Sequence, residues 1–94
     1  MLKRVNYIFD GSAVFLMDAT NEDDAINKAI EAHISVYDYY EEEELDEVNN
    51  TENYEVVDVA SDLMYELKDL LDMVNENESY ISLSDNDVIT IQFD

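Results

Sequence analysis

Residues 2–17, with the sequence LKRVNYIFDGSAVFLM, decide the fold of this chain. Two runs rich in β-branched, aromatic and aliphatic residues, 2–9 and 13–17, lie on either side of Asp10-Gly11-Ser12. An Asp-Gly pair between two such runs is typical of a tight hairpin turn. Gly11 is the single glycine of the chain, and glycine enters left-handed backbone conformations without steric cost. The stretch therefore predicts an antiparallel β-hairpin.

Further strands are predicted in the second half of the chain. Residues 80–83 and 88–93 flank the polar segment 84–87, which indicates a second hairpin. Within 88–93, apolar residues alternate with polar ones, as in a strand with one buried face. Residues 54–59 contain three valines and predict a short additional strand.

Two amphipathic helices are predicted, at about 21–40 and 61–75. Thr20 or Asn21 can cap the first, whose opening acidic residues 22–24 suit the positive end of the helix dipole. Ser61 can cap the second. Each helix has one apolar face, formed by Ile26, Ala29, Ile30, His33, Val36, Tyr37 and Tyr40 in the first and by Leu63, Met64, Leu67, Leu70, Leu71 and Val74 in the second. The helical periodicity ends in four consecutive glutamates, 41–44, and residues 49–51 predict a loop.

These elements predict one α+β domain comprising residues 1–94. Its antiparallel sheet combines the two terminal hairpins with residues 54–59, and both helices cover one face of that sheet. A chain of 94 residues buries roughly 60 to 65% of its unfolded surface. Cysteine is absent, so disulfides and thiolate metal sites are excluded and stability must come from packing.

The charge of the chain is strongly unbalanced, with 25 acidic residues against four basic ones and a formal net charge of −21. Such a charge destabilises a compact state by self-repulsion. Disordered acidic chains are poor in apolar residues, whereas this chain is 47% hydrophobic with seven tyrosines, so we expect it to fold. The imbalance indicates a positively charged partner. Nucleic acids and anionic membranes are excluded as direct partners, because they are bound by Lys and Arg clusters that this chain lacks.

The second predicted helix carries a regular row of carboxylates at spacings of four, three, three and four residues. The row consists of Asp62, Glu66, Asp69, Asp72 and Glu76. It lies opposite the leucines and extends for about 21 Å, with a carboxylate roughly every 5 Å, which is close to the phosphate spacing of a DNA strand. An ordinary solvated helix mixes Lys with Glu, but only Lys68 accompanies this row. We therefore interpret the row as a surface for a cationic partner.

Other candidate partner-binding residues lie on the first helix and just after it. Asp24, Glu31 and Asp38 form a sparser row, and seven of the ten residues 38–47 are acidic. The acidic residues of that segment beyond Asp38 are Glu41, Glu42, Glu43, Glu44, Asp46 and Glu47. Tyr39 and Tyr65 lie beside the acidic faces, where an aromatic ring can receive an Arg guanidinium group.

Signals for catalysis, metals and membranes are weak. His33, the sole histidine, is centred on an apolar helix face, which favours a packed core residue over a catalytic base. Residues 85–87 resemble the start of a calcium loop, but the glycine and glutamate that complete such a loop are absent. The chain also has no apolar stretch of the roughly 20 residues that a membrane span needs, and no signal-peptide pattern. We expect a cytoplasmic protein without enzyme activity, cofactor or metal.

In its small size, acidity, helical carboxylate rows and interspersed tyrosines, the chain resembles the DNA-mimic inhibitors of bacteriophages and other mobile elements. That class includes anti-CRISPR and anti-restriction proteins and inhibitors of DNA repair enzymes. The resemblance is one of overall character, and no residue role is transferred from a relative. It implies a stoichiometric inhibitor, an anti-CRISPR first and an anti-restriction protein next, that occupies the cationic nucleic-acid-binding groove of a host defence nuclease in the host cytoplasm.

Two other function classes fit the sequence. An immunity protein that neutralises a nuclease toxin would also face a basic active site, and an acidic adaptor protein could owe its charge to a salt-rich habitat. Halophilic proteins spread acid over their whole surface, whereas residues 1–17 carry Lys3 and Arg4 against only Asp10. The open edge of either terminal hairpin could pair two chains into a homodimer.

Overall fold

The N-terminal hairpin is present as predicted. Strand β1, Leu2–Tyr7, pairs antiparallel with β2, Ala13–Asp18. In the turn, Gly11 has a φ of 70°, and its N–H donates to the Tyr7 carbonyl at 3.2 Å. The Ser12 N–H donates to Asp10 Oδ1 at 2.9 Å. The left-handed conformation at Gly11 is one that other residues rarely adopt, and this explains why the glycine is placed there.

The computed structural model describes residues 2–36, 42–59, 63–76 and 79–93. The other strands are β3, Tyr54–Asp58, β4, Ser79–Leu83, and β5, Ile89–Phe93. They complete a five-stranded antiparallel sheet of order β3-β1-β2-β5-β4. The predicted second hairpin and the predicted strand near residues 54–59 are both confirmed, as is the α+β class. The two hairpins are joined where β2 pairs with β5.

Within the described residues, three α-helices accompany the sheet: α1, Glu22–Val36, α2, Glu42–Asn49, and α3, Leu63–Glu76. The start of α1 is confirmed, because Asn21 Oδ1 accepts a hydrogen bond from the Asp24 N–H at 2.8 Å. Residues 37–40, the predicted last turn of the first helix, lie outside the described residues, as do residues 61 and 62 at the predicted start of the second. No helix of the described segments is long and apolar enough to cross a membrane.

The cap of α1 yields a first prediction. Replacing Asn21 by Ala leaves the Asp24 N–H without its side-chain acceptor and is expected to lower the free energy of unfolding by about 1 kcal/mol. Asn27→Ala, at an exposed position of the same helix, removes no cap and is the matched control, with an expected change within about 0.5 kcal/mol. Urea denaturation of both variants measures the difference. Equal effects would show that the cap contributes nothing.

The prediction that both helices cover one face of the sheet is wrong. Strand β2 is buried on both faces: Phe15 and Met17 pack with the alanines of α1, whereas Val14 and Leu16 pack with α3. The helices therefore lie on opposite sides of the sheet. The physical reason is the unbroken apolar run of β2, since a central strand without polar residues exposes half of its side chains unless both faces are covered.

Helix α2 was not predicted, because the glutamate run was interpreted as the start of a loop. It packs against α1 and is held by Val48, which is buried and whose carbonyl accepts a hydrogen bond from Tyr54 Oη at 2.6 Å. Leu45 and Val48 are three residues apart, the spacing of one helical face. That pair was the available signal, and it was obscured by the surrounding charge.

Candidate functional site

The only histidine is a core residue, as the sequence indicated. His33 is 1% exposed, and its Nδ1 lies 3.0 Å from Tyr54 Oη. Because the Tyr54 hydroxyl donates its proton to the Val48 carbonyl, it accepts from His33, which assigns the proton to Nδ1. Burial lowers the pKa of His33 from 6.5 to about 4. The ring is therefore neutral at pH 7, is enclosed by Tyr7 and Phe15, and serves to connect α1, β3 and α2.

The carboxylates of α3 face away from the sheet over the part of the row that the structure describes. Leu70, Met73 and Val74 pack onto the sheet. Asp69, Asp72 and Glu76 are exposed and lie on the outer side of the helix, spanning about 10 Å at 1.5 Å per residue. Of the other predicted members, Asp62 lies outside the described residues. Glu66 and Tyr65 belong to α3, but their side chains lie outside the description.

Asp69 has an internal partner that the sequence analysis did not find. Its Oδ2 lies 3.5 Å from Arg4 Nη1. Arg4 extends beneath α3, with Nη2 3.5 Å from Met73 Sδ and Nε donating to Asn6 Oδ1 at 3.0 Å. The Asp69 side chain remains 60% exposed, so it faces solvent while anchoring α3 to β1. Arg4 is thus a positioning residue, and it lies 65 positions from Asp69, too far for any local pattern to indicate.

Asp72 and Glu76 are placed where carboxylates disfavour the helix. They lie near the C-terminal end of α3, and the last turn contains no basic residue. Negative charge in the last turn opposes the helix dipole and costs about 0.3–1 kcal/mol, which applies to Glu76; Asp72 lies one residue before that turn, where the effect is smaller. The ion pairs found among the described residues join Lys3 to Asp58, Arg4 to Asp69 and Lys28 to Asp24. None of those pairs compensates Asp72 or Glu76.

The row predicted on the first helix is engaged in internal contacts instead. Asp24 Oδ2 accepts from the Thr20 N–H at 3.0 Å and lies 3.4 Å from Lys28 Nζ. The Thr20 hydrogen bond is the main reason that the pKa of Asp24 lies below its usual value. Glu31 is exposed but accepts a hydrogen bond from Asn86 Nδ2 at 3.3 Å. Asp38 and Tyr39, the remaining candidates here, lie outside the described residues.

The acidic segment after α1 is separated from the α3 row. Glu42, Glu43 and Glu44 belong to α2, with side chains outside the description, and Glu41 precedes the described part. Asp46 is exposed, and Glu47 Oε2 accepts from Asn53 Nδ2 at 3.3 Å. Because α2 packs against α1, Asp46 and Glu47 lie on the side of the sheet opposite α3. The single anionic face expected from the sequence is therefore two surfaces, one on each side.

A shallow groove accompanies the α1 surface. It has a volume of about 370 Å³ and is lined by Asp23, Ile26, Asn27, Thr51 and Glu52. Its two carboxylates are contributed by α1 and by the 3-10 helix Thr51–Asn53. Over the described residues, no group of three or more His, Asp or Glu side chains is arranged to hold a metal ion.

Comparison of the chain with protein-family models, with curated proteins and with solved structures gives no match. The function must therefore be inferred from the residues themselves.

Proposed function

We propose that the protein is an acidic nucleic-acid mimic whose α3 surface occupies the cationic nucleic-acid-binding groove of a host defence nuclease. Asp72 and Glu76 are its centre, with Asp69 beside them. The protein acts as a stoichiometric inhibitor and not as an enzyme. A CRISPR effector is the first candidate target and a restriction enzyme the second, and both would be met in the host cytoplasm.

One observation carries the proposal: Glu76 and, more weakly, Asp72 lie where a carboxylate opposes the helix dipole, and neither forms an ion pair in the described structure, although Lys68 lies one helical turn before Asp72. If these charged residues served only to keep the helix soluble, lysines at the same positions would do so and would also stabilise the helix. Residues that lower the stability of a protein are typical of functional surfaces. A basic groove supplies the missing cations, and the net charge of −21 attracts it from a distance.

The physical mechanism follows from the rigidity of α3. The helix is held by Leu70, which is buried in the core, by Met73 and Val74, which pack against that core, and by the Arg4–Asp69 ion pair. Its carboxylates are therefore ordered before binding, and less conformational entropy opposes association than for a free acidic tail. Electrostatic steering raises the association rate at low ionic strength. The affinity for the nuclease should fall steeply as salt rises, because screening shortens the reach of surface charges to about 8 Å at physiological ionic strength.

The test is the double variant Asp72→Lys with Glu76→Lys. Purified CRISPR effectors and restriction enzymes are incubated with labelled duplex DNA or guide RNA, and displacement of the label by the inhibitor is measured. We expect the double variant to lose about tenfold or more in affinity, since each reversal places a like charge against the basic groove. Its free energy of unfolding should stay the same or rise by less than about 1 kcal/mol, because lysine suits the C-terminal end of the helix at position 76 but lies one turn from Lys68 at position 72. A loss of inhibition could then not be attributed to unfolding.

The matched control is Glu31→Lys with Asp46→Lys, which changes the net charge equally but on the opposite side of the sheet. Both positions are exposed, and we expect this variant to inhibit within about threefold of the original protein, because the two surfaces are separated by more than a Debye length. Equal losses in the two variants would show that total charge, and not the α3 surface, is recognised. Undiminished inhibition by the α3 variant would refute the proposed interface.

A further inference from the structure

The edge strand β4 lacks the charge that dominates the rest of the chain. Its sequence, Ser79-Tyr80-Ile81-Ser82-Leu83, contains no acidic or basic residue in a protein that is 31% charged. Tyr80, Ile81 and Leu83 are 64%, 59% and 69% exposed. Proteins usually protect an open sheet edge with charged residues, proline or a bulge. Over residues 79–83, which the structure describes, this edge shows none of those devices, so it is suited to pairing with another strand.

The opposite edge of the same sheet provides an internal comparison. Strand β3 is also a five-residue edge strand, but it carries Glu55 and Asp58, both exposed. Asp58 forms an ion pair with Lys3 of the neighbouring strand. Charges at these positions discourage a further strand from pairing there. The lack of charged residues is therefore specific to β4 and is not shared by the other edge strand of the sheet.

The backbone of β4 presents its hydrogen-bonding groups outward at alternate residues. Ser84 N–H donates to the Val88 carbonyl and Ser84 O accepts from the Asp87 N–H, each at 3.0 Å, and these bonds close the β4–β5 hairpin. In an antiparallel ladder, residues alternate between bonding the partner strand and facing away. If this alternation is counted back from Ser84, the residues that bond β5 are Ser82 and Tyr80. The N–H and C=O groups of Leu83, Ile81 and Ser79 therefore face the open edge.

The side chains beside this edge form an apolar patch on the α3 side of the sheet. Leu83 pairs with Ile89 and Ile81 with Ile91, and Ile91 packs with α3 in the core. Ile81, Leu83 and Ile89 therefore share one face, and all three are exposed. Leu71, on α3 above the same face, is also exposed. Contiguous exposed apolar residues of this kind mark interaction surfaces.

We propose that β4 pairs antiparallel with β4 of a second copy of this chain, around a two-fold axis at Ile81. This register places Ile81 opposite Ile81 and Ser79 opposite Leu83, so that the outward backbone groups of each strand bond the other. The two five-stranded sheets become one continuous sheet, and the two apolar patches meet. Such pairing is β-strand addition with a copy of the same strand.

Charge favours a second copy over a basic partner as the occupant. In this register residue 81 lies opposite its own copy, so a carboxylate at that position would face another, and like charges directly opposite are destabilising. A strand built for a basic partner would instead gain from acidic residues, which are abundant in this chain. The repulsion between two acidic bodies remains, and added salt should weaken it.

The pairing has a consequence for the α3 surface. A two-fold axis perpendicular to the sheet leaves both copies of α3 on the same side, so their carboxylates would face one way. The dimer itself does not depend on the proposed inhibition, and it can be tested without a nuclease.

Sedimentation velocity over a range of protein and salt concentrations measures the pairing. We expect a dimer whose dissociation constant decreases between about 0.05 M and about 0.5 M salt, the opposite of the dependence expected for nuclease binding. Ile81→Lys should raise that constant by about tenfold or more, because lysine meets lysine at the axis, although the substitution lowers the net negative charge. Ile8→Lys is the matched control: Ile8 is similarly exposed, at 53%, but lies in the first turn, and it should leave the dimer unchanged.

Cross-linking tests the register. The chain contains no cysteine, and opposed residues in an antiparallel pair are within disulfide reach. Ile81→Cys should form a disulfide-linked dimer on mild oxidation, whereas Leu83→Cys, which faces Ser79 of the other copy, should not. A chain that is monomeric throughout, or an Ile81→Lys variant that dimerises normally, would overturn the proposal. Neither result would affect the nuclease-displacement assay, so the two proposals fail separately.

Discussion

Phe15→Ala is expected to lower the free energy of unfolding by about 3–5 kcal/mol, the range found when a buried phenylalanine is truncated. Phe15 is fully buried in the central strand β2. Its ring centroid lies 5.3 Å from that of His33 and 6.3 Å from that of Tyr54, so the cavity would open between the sheet and α1. Small domains have only about 5–15 kcal/mol of stability. The variant should therefore be close to unfolding at low salt, where carboxylate repulsion is strongest.

Phe9→Ala is the matched control. Phe9 is 55% exposed in the first turn, and its truncation should change the free energy of unfolding by less than about 1 kcal/mol. Urea denaturation followed by circular dichroism compares the two. A Phe15→Ala variant as stable as Phe9→Ala would contradict the placement of β2 at the centre of the core.

The second large effect is a pH dependence that originates at His33. Its pKa is about 4 in the folded protein, lowered from 6.5 by burial. Between these values the unfolded chain takes up a proton and the folded chain does not, so acidification favours unfolding. The contribution should destabilise the fold progressively as the pH falls from 6.5 to about 4, by about 3 kcal/mol in all, and stay constant below that range.

His33→Gln isolates this contribution. Glutamine can donate a hydrogen bond to Tyr54 but does not titrate. The other titratable groups are common to both proteins, so their contributions largely cancel in the comparison. We expect the stability difference between the original protein and the variant to shrink as the pH falls, as measured by urea denaturation at about pH 7 and about pH 4.5. Parallel stability profiles would show that His33 titrates normally.

Much of the local structure could be predicted because its causes lie within a few residues. The Asp-Gly turn, the Asn21 cap and the alternation of residues 88–93 each depend on neighbours in sequence, and each is present. Helix α2 was missed for a related reason. Its only apolar residues at helical spacing are Leu45 and Val48. Two such residues within a strongly acidic segment were too few to indicate an amphipathic helix.

The candidate site was only partly predictable. The sequence indicated that Asp69, Asp72 and Glu76 share the outer side of one helix, because periodicity alone decides which residues share a face. It could not show that Asp24 accepts a hydrogen bond from Thr20 at the start of α1, nor that Asp69 forms an ion pair with Arg4. The spacing of carboxylates along a helix does not depend on whether a residue distant in sequence contacts one of them.

The sequence by itself determined the strands, the existence of α1 and α3 and the acidity, all of which follow from short-range backbone sterics and side-chain spacing. Only the tertiary structure decided that α1 and α3 lie on opposite sides of the sheet, which divides the carboxylates into two surfaces and leaves the uncharged strand β4 at an edge. The physical reason is that these outcomes depend on ladders between distant segments, such as residues 13–16 with residues 89–92. Periodicity shows what a segment must bury, but not which other segment covers it.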